Sequence, residues 1–113
     1  MTKTKEKPAP QAATWRPATN MDATEGTHGQ GSVWARHEEL KALFGEPWEG
    51  DGYKTRLEWV ILFDDGTCAT IYDWKQRGLP VEEVTDWSVG GHTTHAVRLV
   101  VDSLEKFRRE GAA

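Results

Sequence analysis

A single cysteine, Cys68, in 113 residues leaves no partner for an intramolecular disulfide. That removes the cross-linked scaffold of small secreted domains and makes a reducing cytoplasm the natural compartment. Long apolar runs are also missing: the longest, Trp59 to Phe63, is far too short to cross a membrane. The opening Met1-Thr2-Lys3-Thr4-Lys5-Glu6-Lys7-Pro8 has basic residues but no apolar stretch after them, so nothing there reads as a secretory signal. There is no basic excess either. Lys and Arg total 14 against 18 Asp and Glu, net −4, which speaks against a protein that coats duplex nucleic acid. Gly-x-Ser-x-Gly, Gly-x-x-x-x-Gly-Lys and His-Glu-x-x-His are all absent. Without a nucleophile elbow, a phosphate loop or a zinc helix, the expectation is a protein that is not an enzyme and needs no cofactor.

What is present is aromatic and unevenly charged. Six tryptophans stand in the chain, and residues 1–31 carry net +1 while the remainder holds ten basic against fifteen acidic residues, net −5. Residues 1–31 are rich in Thr, Ala, Pro, Gln and Gly, with Trp15 and Met21 as their only large apolar side chains beyond Met1. Two such groups do not offset ordering entropy of about 1–2 kcal/mol per residue, so a disordered tail is expected over 1–31 and a single domain over 32–110. A core built from some eighty residues is marginal alone, so a homo-oligomer is expected.

Within that domain the pattern predicts a short strand at Ser32–Arg36, then a helix from His37 with Leu40, Leu43 and Phe44 on one face and Gly45 and Pro47 as stops. A hairpin from about Tyr53 to Lys75 follows, turning at Asp64-Asp65-Gly66. A two-residue Asp65-Gly66 turn would set Glu58 against Asp73 and Arg56 against Lys75, like charge on like. A three-residue loop instead pairs Ile61 with Ala69, Trp59 with Ile71, Glu58 with Tyr72 and Arg56 with Trp74, and is the preferred register. Val84–Val89 reads as a further strand ended by Gly90-Gly91, and Thr93 or Thr94 caps a helix to about Arg109 with Val97, Val100, Val101, Leu104 and Phe107 in its apolar stripe. The expected fold is α+β, a small antiparallel sheet with two helices in the order β-α-β-β-β-α.

Four groups of residues are candidates for chemistry. In the preferred register Arg56, Glu58, Tyr72 and Trp74 share a sheet face, placing a guanidinium beside an indole, an arrangement suited to a nucleobase and a phosphate. The alternative is a core Trp74 with Arg56 paired to Glu58 or Asp73. Gly90-Gly91 with His92, Thr93 and Thr94 is either an anion-binding helix start or a plain turn and cap. Arg98, Lys106, Arg108 and Arg109 either reach a phosphate on a neighbouring subunit or form a solvated face with Arg98–Asp102 and Glu105–Arg109 pairs. His92-x-x-His95 has too few further ligands at a useful spacing for a metal, and Cys68 has no histidine near it in sequence to activate it.

The run Leu40-x-x-x-Phe44-Gly45-x-Pro47, Gly50-Asp51-Gly52-Tyr53-Lys54, Glu58-Trp59, Phe63-x-Asp65-Gly66-Thr67-x-Ala69-Thr70-Ile71-Tyr72-x-Trp74-Lys75 and Trp87-x-Val89-Gly90-Gly91 resembles the first-described Thoeris anti-defence sponge family. These are small phage and prophage proteins, and the resemblance covers about residues 32–105. It implies a phage-type protein of the host cytoplasm that oligomerises and sequesters a cyclic ADP-ribose isomer without cleaving it, with Arg56 and Trp74 at the nucleotide and an Arg of the last helix at its phosphates. The ligand-binding set expected on this reading is Arg56, Trp74, Tyr72, Trp34, Gly91, His92, Arg98 and Arg109. This chain departs from the family pattern after Lys75, where Gln76-Arg77-Gly78-Leu79-Pro80 replaces a longer Gly- and Asp-rich loop bearing an aromatic. A different class of function, an acidic inhibitor docking on a basic surface of a host protein, is the alternative.

Overall fold

The computed structural model describes residues 14–20, 22–50, 55–76 and 78–111. Its elements in chain order are β1 (Trp15–Pro17), β2 (His28–Trp34), α1 (His37–Phe44), β3 (Trp48–Glu49), β4 (Leu57–Phe63), β5 (Cys68–Tyr72), β6 (Asp86–Gly91) and α2 (His95–Gly111), with short 3-10 turns at Asp22–Thr24 and Val81–Glu83. The strands make one antiparallel sheet in the order β1-β4-β5-β6-β2, with β3 also paired to β4. The fold is therefore α+β with an antiparallel sheet and two helices.

The β4–β5 hairpin adopts the three-residue loop. Leu62 pairs with Cys68, Val60 with Thr70 and Glu58 with Tyr72, Phe63 N–H donates to the Thr67 carbonyl at 2.8 Å, and Gly66 takes the left-handed φ of 92° that this loop demands. Alternation along the strands then assigns Trp59, Ile61, Phe63, Ala69, Ile71, Trp87 and Val89 to one face, where α1 adds Leu40 and Phe44 and α2 adds Ala96, Leu99, Val100 and Leu104. Trp59 and Trp87 meet edge to face at 5.4 Å. Their buried indole N–H groups donate to the carbonyls of Gly45 at 2.7 Å and Ala35 at 2.9 Å, so neither is left unsatisfied.

Four expectations need correction. Residues 15–17 and 28–31 lie in strands of the sheet and not in a tail: Trp15, Arg16 and Pro17 pair with Phe63, Leu62 and Ile61, and Trp15 packs edge-on against Phe44 at 4.9 Å. Pairing with β4 and burial of one indole order this segment despite its composition; residues 1–13 lie outside the described residues. The strand expected at Ser32–Arg36 is β2, which begins earlier, at His28, and ends at Trp34. Gly90 and Gly91 do not lie past the strand but are the last two residues of β6. They pair with Gly29 and His28 on one side and with Thr70 and Ala69 on the other. The buried stripe of α2 is rotated relative to the expectation, with Ala96, Leu99 and Ser103 inside and Val101 half-buried; Ser103 is accommodated because its hydroxyl donates to the Leu99 carbonyl at 2.8 Å.

The opposite face of the sheet is partly covered by the segment after β1. Ala18 and Ala23 pack with Val60, Leu62 and Cys68, and Ala18 N–H donates to the Val60 carbonyl at 2.9 Å. Glu58, Tyr72, Trp74 and Ser88 stay half-buried or exposed beside that patch.

Candidate functional site

Tyr72 closes β5 on the face turned away from the helices, and Trp74 follows it two residues on, 43 % exposed. The two rings meet edge to face with centroids 6.2 Å apart. Lys75, at a left-handed φ of 57°, brings its Nζ to 5.4 Å from the Trp74 centroid. Next to them lies an open depression of about 350 Å³ lined by Gly29, Gly31, Tyr72, Trp74 and Ser88. Glycine is what leaves that room. A Cβ at Gly29 would stand 3.5 Å from the Tyr72 hydroxyl, and one at Gly90 would stand 2.5 Å from Thr70 Oγ1 and 3.5 Å from the Tyr72 ring. An aromatic platform, a cation over it and a glycine floor can hold a flat, anionic molecule.

Arg56 is elsewhere committed. Its Nε donates to Asp73 Oδ2 at 2.8 Å, Nη1 to the Leu79 carbonyl at 2.7 Å and Nη2 to the Gln76 carbonyl at 2.9 Å. Asp73 is 1 % exposed and also accepts the backbone N–H of Arg56 at 2.8 Å and of Leu57 at 3.2 Å. The pair thus clamps the open end of the hairpin to the turn after β5. Arg56 is a structural residue here, which corrects its expected place beside the indole: a buried carboxylate outcompetes a surface ring for a guanidinium.

The other expected residues divide in the same way. Gly91 is buried within β6, where a Cβ would come 2.5 Å from that of Ala96 and 3.2 Å from the Cys68 carbonyl; its glycine serves packing under the start of α2 and not an anion-binding turn. His92 and His95 part company, Nε2 of the first meeting the Glu25 carbonyl at 2.9 Å and Nε2 of the second Asp65 Oδ2 at 3.1 Å. Thr67 hydrogen bonds and then His95 hold the exposed Asp65 carboxyl below its usual range. Arg98 is exposed and lies 3.5 Å from Asp102, the solvated pairing. Arg109 is exposed at the end of α2. Trp34, 57 % exposed, closes β2 with the Arg108 guanidinium 5.7 Å from its ring. That guanidinium grips Glu39 through Nε at 3.0 Å and Nη2 at 3.1 Å, lowering the Glu39 pKa.

Sequence reasoning thus placed Tyr72 and Trp74 together and missed Lys75, Gly29, Gly31 and Ser88. The glycines carried no signal of this: a register shift between Gly29 and Gly31 turns a Cβ at Gly29 toward the Tyr72 hydroxyl and one at Gly31 toward Val97 of α2, so their spacing in the sequence does not put them on one face. Burial raises the pKa of Glu58, and burial and the Glu58 charge together raise those of Tyr72 and Cys68, so both stay protonated at neutral pH. Among the described residues no three His, Cys, Asp or Glu side chains gather as a metal ion would require, and no helix is long and apolar enough to cross a membrane.

Comparison of the chain with protein-family models, curated proteins and solved structures finds no match.

Proposed function

We propose that this protein binds a nucleotide on the Tyr72–Trp74 platform and holds it intact, withdrawing a signal from solution without chemical turnover. The observation that carries the reading is Trp74 itself, 43 % exposed beside a glycine-floored depression and braced edge-on by Tyr72. Stacking a base on such a ring contributes about 1–3 kcal/mol whatever the base, and Lys75 supplies a mobile positive charge for a phosphate. The resemblance at Ala69–Lys75 gives the ligand class, a cyclic ADP-ribose isomer. On this reading Trp74, Tyr72 and Lys75 hold the ligand and Arg56 shapes the loop beside it. The protein acts as a homo-oligomer in the cytoplasm of a phage host, and β2, a seven-residue strand at the end of the sheet order, is the edge a second copy would cover.

Thermal-shift screening against cyclic ADP-ribose isomers and cyclic oligonucleotides tests this. A ligand at 100 times its dissociation constant stabilises by about 2.7 kcal/mol, and Trp74→Ala should weaken its binding by roughly 5–150-fold, the equivalent of the stacking energy. Silence across the panel overturns the reading. A complex with a host protein that survives Trp74→Ala and weakens with salt would replace it with the protein-binding alternative.

A further inference from the structure

Paired positions put Trp48, Glu58 and Tyr72 in one row across β3, β4 and β5. Directly opposed side chains in antiparallel strands share a face with Cβ atoms about 4.5–5.5 Å apart, so Glu58 stands between an indole and a phenol. Trp48 is 39 % exposed. Glu58 is half-buried, yet among the described residues its carboxylate has neither a hydrogen bond nor an ion pair. Other carboxylates withdrawn from water contrast with it: the buried Asp73 has Arg56, and the half-buried Glu39 and Asp102 have Arg108 and Arg98. A carboxylate withdrawn from water with no partner is costly, and such costs cluster where a ligand later supplies the partner. Burial and then the Glu58 charge raise the Tyr72 and Cys68 pKa values, which sets Glu58 close to both on this face.

We infer that Trp48, Glu58 and Tyr72 form a binding site for an organic cation of the alkylammonium class. The ammonium would sit against the carboxylate with its methylene or methyl groups on the electron-rich faces of Trp48 and Tyr72, the pairing of charge and quadrupole that aromatic cages use. A hard metal ion is a poor occupant, because one carboxylate cannot supply the six to eight oxygens such an ion takes. The net negative charge of the chain, −4, adds to the attraction. This site goes beyond the nucleotide reading and is tested without any nucleotide present.

The test is an NMR titration of the full chain, following the Trp48 indole N–H and the Glu58 amide, with tetramethylammonium chloride and with Nα-acetyl-lysine methylamide, against sodium chloride at matched ionic strength. Both resonances should move saturably with at least one ammonium compound and not with sodium. Glu58→Gln should weaken that binding at least tenfold while keeping its dispersed spectrum, and Trp48→Ala should weaken it severalfold. Saturation by tetramethylammonium assigns a small free cation; saturation by the lysine derivative alone assigns a lysine side chain of a partner protein. The proposal is overturned if neither compound gives saturable shifts in the wild type, or if Glu58→Gln titrates as the wild type does.

Discussion

Replacing Arg56 by alanine separates a structural arginine from a ligand-binding one. The substitution removes three side-chain hydrogen bonds, of 2.7, 2.8 and 2.9 Å, and leaves the Asp73 carboxylate, 1 % exposed, with the backbone N–H groups of Arg56 and Leu57 as its remaining donors among the described residues. Stranding one partner of a buried ion pair costs about 3–5 kcal/mol. The Arg56 side chain keeps 27 % of its surface in water, so the lower end applies. A domain of this size has roughly 5–15 kcal/mol in all, and about 3 kcal/mol corresponds to a fall in Tm of roughly 12–24 °C. Calorimetry or circular-dichroism melts of Arg56→Ala, Asp73→Ala and the double variant give the coupling energy directly. The double variant should be much less destabilised than the two single losses added. A Tm for Arg56→Ala within a few degrees of wild type, with ligand affinity lost, would refute the clamp and return Arg56 to the binding site.

Gly91→Ala sets a Cβ 2.5 Å from that of Ala96 and should cost about 1–3 kcal/mol in a urea melt. Glu58 has the opposite pH signature from an ion-paired acid. Its folded-state pKa is raised by burial, so its ionisation works against the fold above that value and the penalty is absent below the unfolded pKa. Glu58→Gln should therefore raise Tm at neutral pH, with the gain fading toward about pH 4, the ordinary range of a glutamate. Glu39, lowered by Arg108, contributes stability above its unfolded pKa that is lost as pH falls through the folded one. Because the Arg108 side chain is 37 % exposed, Glu39→Gln should cost only about 1 kcal/mol at neutral pH, and nothing once both states are protonated.

The hairpin was legible because charge decided it: one register sets Glu58 against Asp73, the other against Tyr72, and the chain takes the second. The fates of Trp59 and Trp87 followed from period-two alternation. The two- and three-residue strands β3 and β1 were not legible, since strands so short carry no periodicity and exist only through pairing to β4. Gly90-Gly91 read as a stop because glycine punctuates turns, whereas here it admits Thr70, Tyr72 and Ala96 against the sheet. The site was half legible for the same reason. Tyr72 and Trp74 share a face by alternation alone, but the path of Arg56 depended on how the turn to Leu79 folds back, and strand patterning says nothing about a loop.

The proposed function requires binding without turnover at Trp74. The direct measurement incubates stoichiometric purified protein with a cyclic ADP-ribose isomer, separates free from bound nucleotide, and then heat-denatures the protein and assays what is released. The prediction is depletion from the free fraction, full recovery of the unaltered cyclic nucleotide after denaturation, and loss of depletion in Trp74→Ala. Recovery of a cleaved product, or a free fraction unchanged by the wild-type protein, would contradict it.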